Sequence, residues 1–179
     1  GEKKEVLSAG IKYLIYMHIS VIFLIAMFAI LTNVSGSMDF EYYREFLLDN
    51  PALTNIIFIL GFIGFGIKAG FVPFHNWLPD AHPAAPSHVS GIMSGVMIKT
   101  GIYGILRLLL MIGIPTKGLG YFVLSIAILS VLYGVLYAIT QHDIKRLLAY
   151  SSIENIGIIG IGIGVGMLGL AYSNPVIAI

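Results

Sequence analysis

Cysteine is absent from this sequence of 179 residues, and charged residues are scarce. Without cysteine, the chain has no disulfide framework, no thiolate metal ligand and no cysteine ligation of an iron–sulfur cluster. Charged residues make up 11% of the chain, whereas about a quarter of a soluble domain is charged. The net charge of +1 does not suggest nucleic-acid binding. No flavin, haem, nucleotide or quinone motif occurs, so we assign no cofactor and no redox chemistry to this chain.

Hydrophobic residues dominate instead, at 58% of the chain with a mean hydropathy of +0.93. A membrane helix needs about 20 mostly apolar residues. The sequence therefore predicts an all-α multi-pass membrane protein in contact with lipid, with five spans at about 11–32, 54–72, 88–112, 119–140 and 147–170. The second span is expected to continue as a broken helix to about residue 87. We interpret residues 1–179 as a single transmembrane domain that is a piece of a longer protein.

Lysine and arginine are distributed unequally between the loops. Alternate loops collect five basic residues on one side against two on the other: Lys3, Lys4, Lys12, Lys145 and Arg146 against Arg44 and Lys117. Basic residues in short loops mark the cytoplasmic side of a membrane protein. We therefore expect a cell-membrane protein whose N-terminal flank is cytoplasmic. The more acidic loop near 33–53 would be external and would contain a short amphipathic helix.

The stretch at 66–88, GIKAGFVPFHNWLPDAHPAAPSH, contains four prolines and three histidines. Proline removes a backbone donor and clashes with the preceding helical turn. We therefore expect the second span to be broken near Gly70, Pro73 and Pro79. Broken helices persist at membrane depth only inside protein or beside a wet cavity. The break is expected to free backbone carbonyls and to give water access to Lys68.

Lys68 and Lys99 both lie well inside predicted spans, about 14 and about 11 residues from the start of their respective spans. A charged lysine at the centre of a membrane helix costs about 2.5–3.5 kcal/mol on insertion scales. Buried ionisable residues of this kind are typical of ion and proton pathways. The alternative is that each lysine pairs with a carboxylate and only locks the helices together.

Three histidines, His75, His82 and His88, lie between the two lysines in the sequence. Histidine gains and loses a proton near neutral pH, which suits a proton relay. Two alternatives stay open at this point. His75 and His82 with Asp80 offer metal ligands, although no tight ligand spacing is present. The segment could also be a simple loop in which the histidines are incidental.

Further polar residues complete the predicted pathway. His88 and Lys99 are 11 positions apart, so on an unbroken helix they would share a face about 16 Å apart along the axis. Tyr103 follows one turn later, and Arg107, one turn beyond it, is expected to be an interfacial anchor. Glu154 lies inside the last span, where a carboxylate must be paired or neutral.

Two long motifs carry a family resemblance. The first is GIKAGFVPFHNWLPDAHPAAPSH, followed by IKTGIYGILR at 98–107, and the second is HDIKRLLAYSSIENIGIIGIGIG at 142–164. They resemble the antiporter-like, proton-conducting subunits of respiratory complex I and of multi-subunit Na⁺/H⁺ antiporters. The SIENIG run is more similar to the large antiporter-like subunit of energy-converting membrane hydrogenases of the formate hydrogenlyase type. Related sulfur-reducing membrane complexes also carry such subunits.

The resemblance implies a fold of two inverted repeats, each with a discontinuous helix. The chain would contain the sixth to tenth helices of the usual fourteen. Lys68 would match the lysine before the break, and Lys99 the central lysine of the next helix. The family pairs the first lysine with a glutamate two helices earlier, in a segment outside this sequence. The residues and the resemblance together predict proton transfer through Lys68, Lys99, His82, His88 and Glu154, supported by His75, Asp80 and Tyr103.

Three functions follow as expectations. The leading one is proton translocation coupled to redox chemistry in other membrane subunits of a respiratory or hydrogenase complex. The second is Na⁺/H⁺ exchange through the same residues, although a direct Na⁺ site beside lysines is disfavoured because like charges repel. The third is a truncated relative that conducts nothing and acts as a scaffold for its neighbours.

Overall fold

Helices make up every regular element in the part of the chain that the structure describes. A computed structural model describes residues 2–48 and 50–174. Its helices are α1 (Glu2–Ser35), α2 (Phe40–Leu48), α3 (Pro51–Ala69), α4 (Leu78–Ala84), α5 (Ser87–Ile92), α6 (Ile98–Ile112), α7 (Lys117–Ile139) and α8 (Ile144–Ala171). A 3₁₀ turn at Phe74–Trp77 precedes α4, and a π turn at Met93–Met97 joins α5 to α6.

Five stretches are long and apolar enough to cross a membrane: α1, α3 with α4, α5 with α6, α7, and α8. The second stretch, Pro51–Ala84, is discontinuous because α3 ends at Ala69 and α4 begins at Leu78. This confirms the predicted all-α architecture of five membrane-length helices with one broken helix. The short helix α2 lies in the loop between the first two stretches, with Tyr43 and Leu47 buried one turn apart.

Helices α7 and α8 pack against each other through glycines. A Cβ atom on Gly134 of α7 would lie 2.7 Å from the backbone nitrogen of Glu154. A Cβ on Gly157 of α8 would lie 2.7 Å from the backbone nitrogen of Val131. Small residues let membrane helices approach this closely, and the close approach gains van der Waals contact. The glycine-rich run of α8 therefore serves helix packing rather than flexibility.

Helix α6 contacts the last turns of α3 in the same manner. A Cβ on Gly101 would lie 2.6 Å from the carbonyl oxygen of Phe65 and 2.7 Å from the backbone nitrogen of Ala69. On its other side, α3 packs against α1, where the Ser20 hydroxyl donates a 2.6 Å hydrogen bond to the Gly64 carbonyl. Helix α3 is therefore held between α1 and α6, and the break follows directly after this contact.

Charged side chains collect at the two ends of the helices. At one end, Lys12 of α1 forms an ion pair with Asp80 of α4. At the other, the Arg107 guanidinium lies 5.7 Å from the centroid of the Phe40 ring, and the Lys117 ammonium lies 4.0 Å from that of Tyr172. Lysine and arginine at helix ends reach the interface while their stems stay apolar. Arg107 thus lies where an interfacial anchor is expected.

Candidate functional site

The helix break begins at Gly70. Gly70 has a φ of 85°, a left-handed conformation that L side chains rarely adopt. Its backbone nitrogen and that of Phe71 both donate to the Gly66 carbonyl, at 2.9 and 3.1 Å. This is the usual glycine-terminated helix end, in which the last carbonyls are bonded by the residues that follow. Glycine at position 70 therefore terminates α3, whose last helical residue is Ala69.

Two carbonyls at the break have hydrogen-bond donors, although the sequence predicts that the break frees carbonyls. Gly66 is bonded as described, and the Ile67 carbonyl accepts bonds from the Trp77 indole nitrogen at 3.0 Å and from the Gly70 backbone nitrogen at 3.3 Å. The Val72 backbone nitrogen donates 3.0 Å to the Ser130 hydroxyl of α7. These bonds form because the chain turns back after Gly70, so that the fully buried side chain of Trp77 lies next to the last turns of α3.

The prolines of this stretch have different roles. Pro73 lies in the turn between α3 and the 3₁₀ turn, as predicted. Pro79 was predicted to break a helix, and this is wrong, because it lies in the first turn of α4. The first turn of a helix tolerates proline, since its backbone nitrogen has no intrahelical acceptor there. A second interruption lies at Ala85 and Pro86, between α4 and α5.

The two lysines predicted inside spans lie on contacting helices, where Lys68 is half-buried and Lys99 is exposed on the described part of the chain. Lys68 is in the last turn of α3, next to Ala69, and Lys99 is in the first turn of α6, two residues before Gly101. The close contact of Gly101 with Ala69 brings these two turns together. Within residues 2–48 and 50–174, neither lysine has a carboxylate within 4.0 Å.

Lys99 is bound to backbone rather than to an acid. Its ammonium donates a 2.9 Å hydrogen bond to the Ser94 carbonyl, in the π turn that precedes α6. The Ser94 hydroxyl lies 3.0 Å from the Ser152 hydroxyl of α8. The π turn therefore gives Lys99 a neutral polar partner and links it to the last helix.

The same π turn overturns the predicted common face of His88 and Lys99. A π turn takes up about one residue more than an α turn. The face therefore rotates by about 100° between the two residues. Lys99 and Tyr103 keep their spacing within α6, but His88 belongs to α5 and is offset from them. His88 and Tyr103 are both exposed on the described part of the chain.

Two of the three histidines are buried. His82 of α4 is 2% exposed, and its Nδ1 shares a 2.6 Å hydrogen bond with the Ser90 hydroxyl of α5. Its Nε2 is buried without a partner among the described residues. His75 is 4% exposed, lies 4.3 Å from Tyr133 between ring centroids, and has both nitrogens unpartnered in the same part of the chain.

Asp80 is paired with basic side chains of two other helices. It forms the ion pair with Lys12 of α1, and the Arg146 guanidinium of α8 is 4.0 Å away. An open pocket of about 550 Å³ at this end of the helices is lined by Glu5, Asp80, Asp143 and Arg146 among others. No group of three histidine, aspartate or glutamate side chains in the described ranges is arranged to hold a metal ion. Asp80 therefore ties three helices together at their polar end.

Glu154 is half-buried on α8, one turn after Tyr150. Its backbone contacts Gly134 of α7, and its side chain forms no ion pair with Lys68 or Lys99 within 4.0 Å. The structure thus brings the two lysines to contacting helices, gives His82 and Lys99 serine partners, and leaves Glu154 on the α7–α8 side.

The sequence analysis did not identify Ser90 and Ser94, the serines that contact His82 and Lys99. Their spacing of four residues, typical of neighbours on one helix face, is the feature that could have indicated them. Lys12 and Arg146 were used only to infer orientation. Their contact with Asp80 joins segments 68 and 66 residues apart in the sequence, and no local pattern marks such a contact.

A family model described as NADH:quinone oxidoreductase/Mrp antiporter, TM, matches residues 1–174. The chain belongs to this antiporter family. Hydrogenase-4 component B of Escherichia coli (strain K12) is 45% identical over 99% of this chain and 27% of its own length. Formate hydrogenlyase subunit 3 of the same strain is 42% identical over 78% of this chain and 23% of its own length. The chain thus spans about a quarter of each of these antiporter-family relatives.

The fold of this antiporter-family chain also matches a solved structure. A chain of the membrane-bound sulfane sulfur reductase, an archaeal respiratory membrane complex, aligns with a TM-score of 0.82 at 26% identity. The alignment covers 95% of this chain and 37% of that one. The resemblance first seen in the two sequence motifs is therefore confirmed by the family model, by the relatives and by the fold.

Proposed function

We propose that this chain is the part of an antiporter-like membrane subunit that passes protons through Lys68, His82 and Lys99. Redox chemistry in partner subunits of a respiratory or hydrogenase complex drives the transfer. His88, which lies between the two lysines in the sequence, and Glu154 belong to the proposal as further proton-transfer groups. The printed names of the relatives, a hydrogenase component and a formate hydrogenlyase subunit, support such partners for this chain.

The observation that carries the proposal is the position of the two lysines. They lie in turns of α3 and α6 that touch at Gly101. Ionisable residues inside membrane spans are costly and are typical of ion and proton pathways. Two neighbouring cations repel, so a proton on one disfavours a proton on the other. This coupling suits transfer of a proton between them.

Buried His82 supplies a group that can carry the proton between the turns. It can bind a proton on one nitrogen and release another from the opposite nitrogen. A continuous helix would carry His82 about 21 Å beyond Lys68 along the axis. The break shortens this separation, because the Trp77 side chain returns to the Ile67 carbonyl in the last turns of α3. The proposal therefore gives the discontinuous helix a function.

The test is Lys99→Ala in the full-length subunit within its complex. We expect the complex to assemble and the rate of proton translocation into proteoliposomes to fall by about 100-fold, the scale of a lost proton-transfer group. Lys117→Ala is the matched control, because Lys117 lies at the end of the helices on the Tyr172 ring. Normal pumping by assembled Lys99→Ala would remove Lys99 from the mechanism.

The same assay separates proton transfer from Na⁺/H⁺ exchange. We expect unchanged proton translocation when choline replaces Na⁺ in the medium. A strict requirement for Na⁺ would favour exchange. A wild-type complex that catalyses its redox reaction without moving either ion would favour the scaffold.

A further inference from the structure

We propose that Lys145 is a positioning residue, which fixes His82 against Ser90 by holding the junction between α4 and α5. This inference rests on the proposed function, because it concerns the geometry of His82 in the proposed transfer. The observation that carries it is a 2.8 Å hydrogen bond from the Lys145 ammonium to the Ala85 carbonyl. Lys145 is in the first turn of α8, 60 residues further along the chain.

Ala85 is the residue at which the chain leaves α4. Its φ of −82° and ψ of 146° are extended, as is usual for a residue that precedes a proline. The Ala85 backbone nitrogen donates to the Ala81 carbonyl at 3.0 Å and closes the last turn of α4. The Ser90 backbone nitrogen donates to the Pro86 carbonyl at 2.9 Å and opens α5. Each of these bonds belongs to one helix, so neither fixes the angle between the two helices.

The hydrogen bond between His82 and Ser90 depends on that angle. His82 is in α4 and Ser90 is in α5, so their 2.6 Å bond spans the junction. Both residues are at most 9% exposed. A rotation of α4 relative to α5 at Ala85 would lengthen the bond and turn the His82 ring. In the described part of the chain, the Lys145 bond to the Ala85 carbonyl holds this junction from a third helix.

Lys145 is itself held in place at the start of α8. The Asp143 carboxylate accepts hydrogen bonds from the backbone nitrogens of Lys145 and Arg146, at 2.7 and 3.4 Å, and so caps this helix. A lysine beside the C-terminal end of a helix bonds its last carbonyls and interacts favourably with the helix dipole. The ammonium of Lys145 meets α4 at that end, so its charge and its position both suit the contact.

The alternative role for Lys145 is that of a surface anchor for α8, since basic side chains at helix ends reach the membrane interface. The neighbouring Arg146 is exposed and lies 4.0 Å from Asp80, as an anchor would. Lys145 differs from it, because it is half-buried and its ammonium is bonded to backbone at the junction. Loss of a mere anchor would leave the surroundings of the His82 ring as they are.

The test uses Lys145→Met in the full-length subunit within its complex. Methionine keeps an unbranched side chain but removes the donor. We expect the ¹⁵N resonances of the His82 ring to shift. Proton translocation should fall about tenfold or more, because a displacement of about 1 Å can cost a positioned site up to about 100-fold. Lys117→Met is the matched control, since Lys117 lies on the Tyr172 ring at the other end of the helices. It should leave both readouts as in the wild type.

Two further variants at the same position sharpen the test. Lys145→Arg keeps a long cationic donor and should restore most of the pumping and the wild-type His82 resonances. Lys145→Gln keeps a donor on a shorter, neutral side chain, and both of its readouts should lie between those of the methionine variant and the wild type. If Lys145→Met does not assemble, Lys145→Gln decides, because wild-type values of both readouts in it would overturn the proposal.

Wild-type His82 resonances in assembled Lys145→Met would overturn the positioning role, and so would an arginine variant that assembles but restores neither readout. Shifted resonances with wild-type pumping would show that transport does not depend on this position of the ring, and the role in transfer would be wrong. If Lys99→Ala is inactive in the same preparation, the proposed function stands and only the role of Lys145 is wrong. If Lys99→Ala also pumps normally, the proposed function itself fails.

Discussion

The α7–α8 pair and the break between α3 and α4 are held by different interactions. The pair is in backbone contact at Gly134 and Gly157, and these contacts are van der Waals packing. The break is held by hydrogen bonds from Trp77 and from the Val72 backbone nitrogen. Continuous helices satisfy their own backbone groups, so packing is enough, whereas an interrupted helix must find partners for the groups it leaves unpaired. The proposed proton-transfer residues Lys68 and His82 flank this interruption.

The largest expected effect is on the packed pair. Gly134→Leu should destabilise the protein at the upper end of about 1–3 kcal/mol, because its Cβ would meet the Tyr150 carbonyl oxygen at 2.9 Å, and backbone cannot turn aside. The measurement is the midpoint of thermal unfolding of the full-length protein in detergent. Gly162→Leu, on α8 with nothing within 4 Å of its Cβ, is the control and should leave the midpoint nearly unchanged. Equal midpoints in both variants would refute glycine packing.

A smaller effect on stability, with an added effect on transport, is expected at the break. Trp77→Phe removes the indole donor to the Ile67 carbonyl and should cost about 0.5–1.5 kcal/mol, the value of one hydrogen bond, because this carbonyl keeps a 3.3 Å bond from the Gly70 backbone nitrogen. It should also slow proton translocation, because the end of α3 carries Lys68. Phe58→Leu changes another fully buried ring of α3, away from the break, and should lower the unfolding midpoint without slowing transport. Slowed transport in both variants would show that the break is not special.

The sequence was sufficient to locate the main parts of the fold and of the site. Each of these parts can be recognised within a short stretch of sequence: the five apolar runs, the break near Gly70 and Pro73, and the two lysines inside spans. Pro79 was misjudged because the same residue that breaks a helix interior is tolerated in a first turn. Its effect depends on where the next helix begins, and this is set by the fold-back that buries Trp77.

The contacts between elements were outside the reach of sequence reasoning. The π turn shifts His88 away from Lys99, and one extra residue in a helical turn leaves no periodic signal in a run as apolar as this one. Likewise, the bond between His82 and Ser90 crosses the interruption at Pro86, which no helical spacing rule spans. These contacts depend on how the helices pack against each other, and that packing depends on many glycine contacts at once.

The smallest stability effect is expected at the polar end of the helices. Asp80→Asn should cost only about 0.2–1 kcal/mol, because its ion pair with Lys12 is partly exposed, with side chains 32% and 42% accessible. A double-mutant cycle with Lys12→Gln, measured by thermal unfolding, should give a coupling energy in this range that decreases at high salt. Asp39→Asn, on an exposed residue before α2, is the control. A coupling energy of several kcal/mol would instead make this ion pair a main support of α4.

Lys68→Arg tests most directly whether Lys68 releases its proton during transport, as the proposed proton transfer requires. Arginine keeps the charge and the position at the end of α3 but stays protonated in proteins. Proton translocation should be measured in proteoliposomes containing the assembled full-length complex, with Lys12→Arg as the control. Lys12 only pairs with Asp80, a pair that arginine can also make. We expect Lys68→Arg to lose most of its proton translocation and Lys12→Arg to keep it. Normal translocation by Lys68→Arg would show that Lys68 need not release a proton, and the proposed transfer would be wrong.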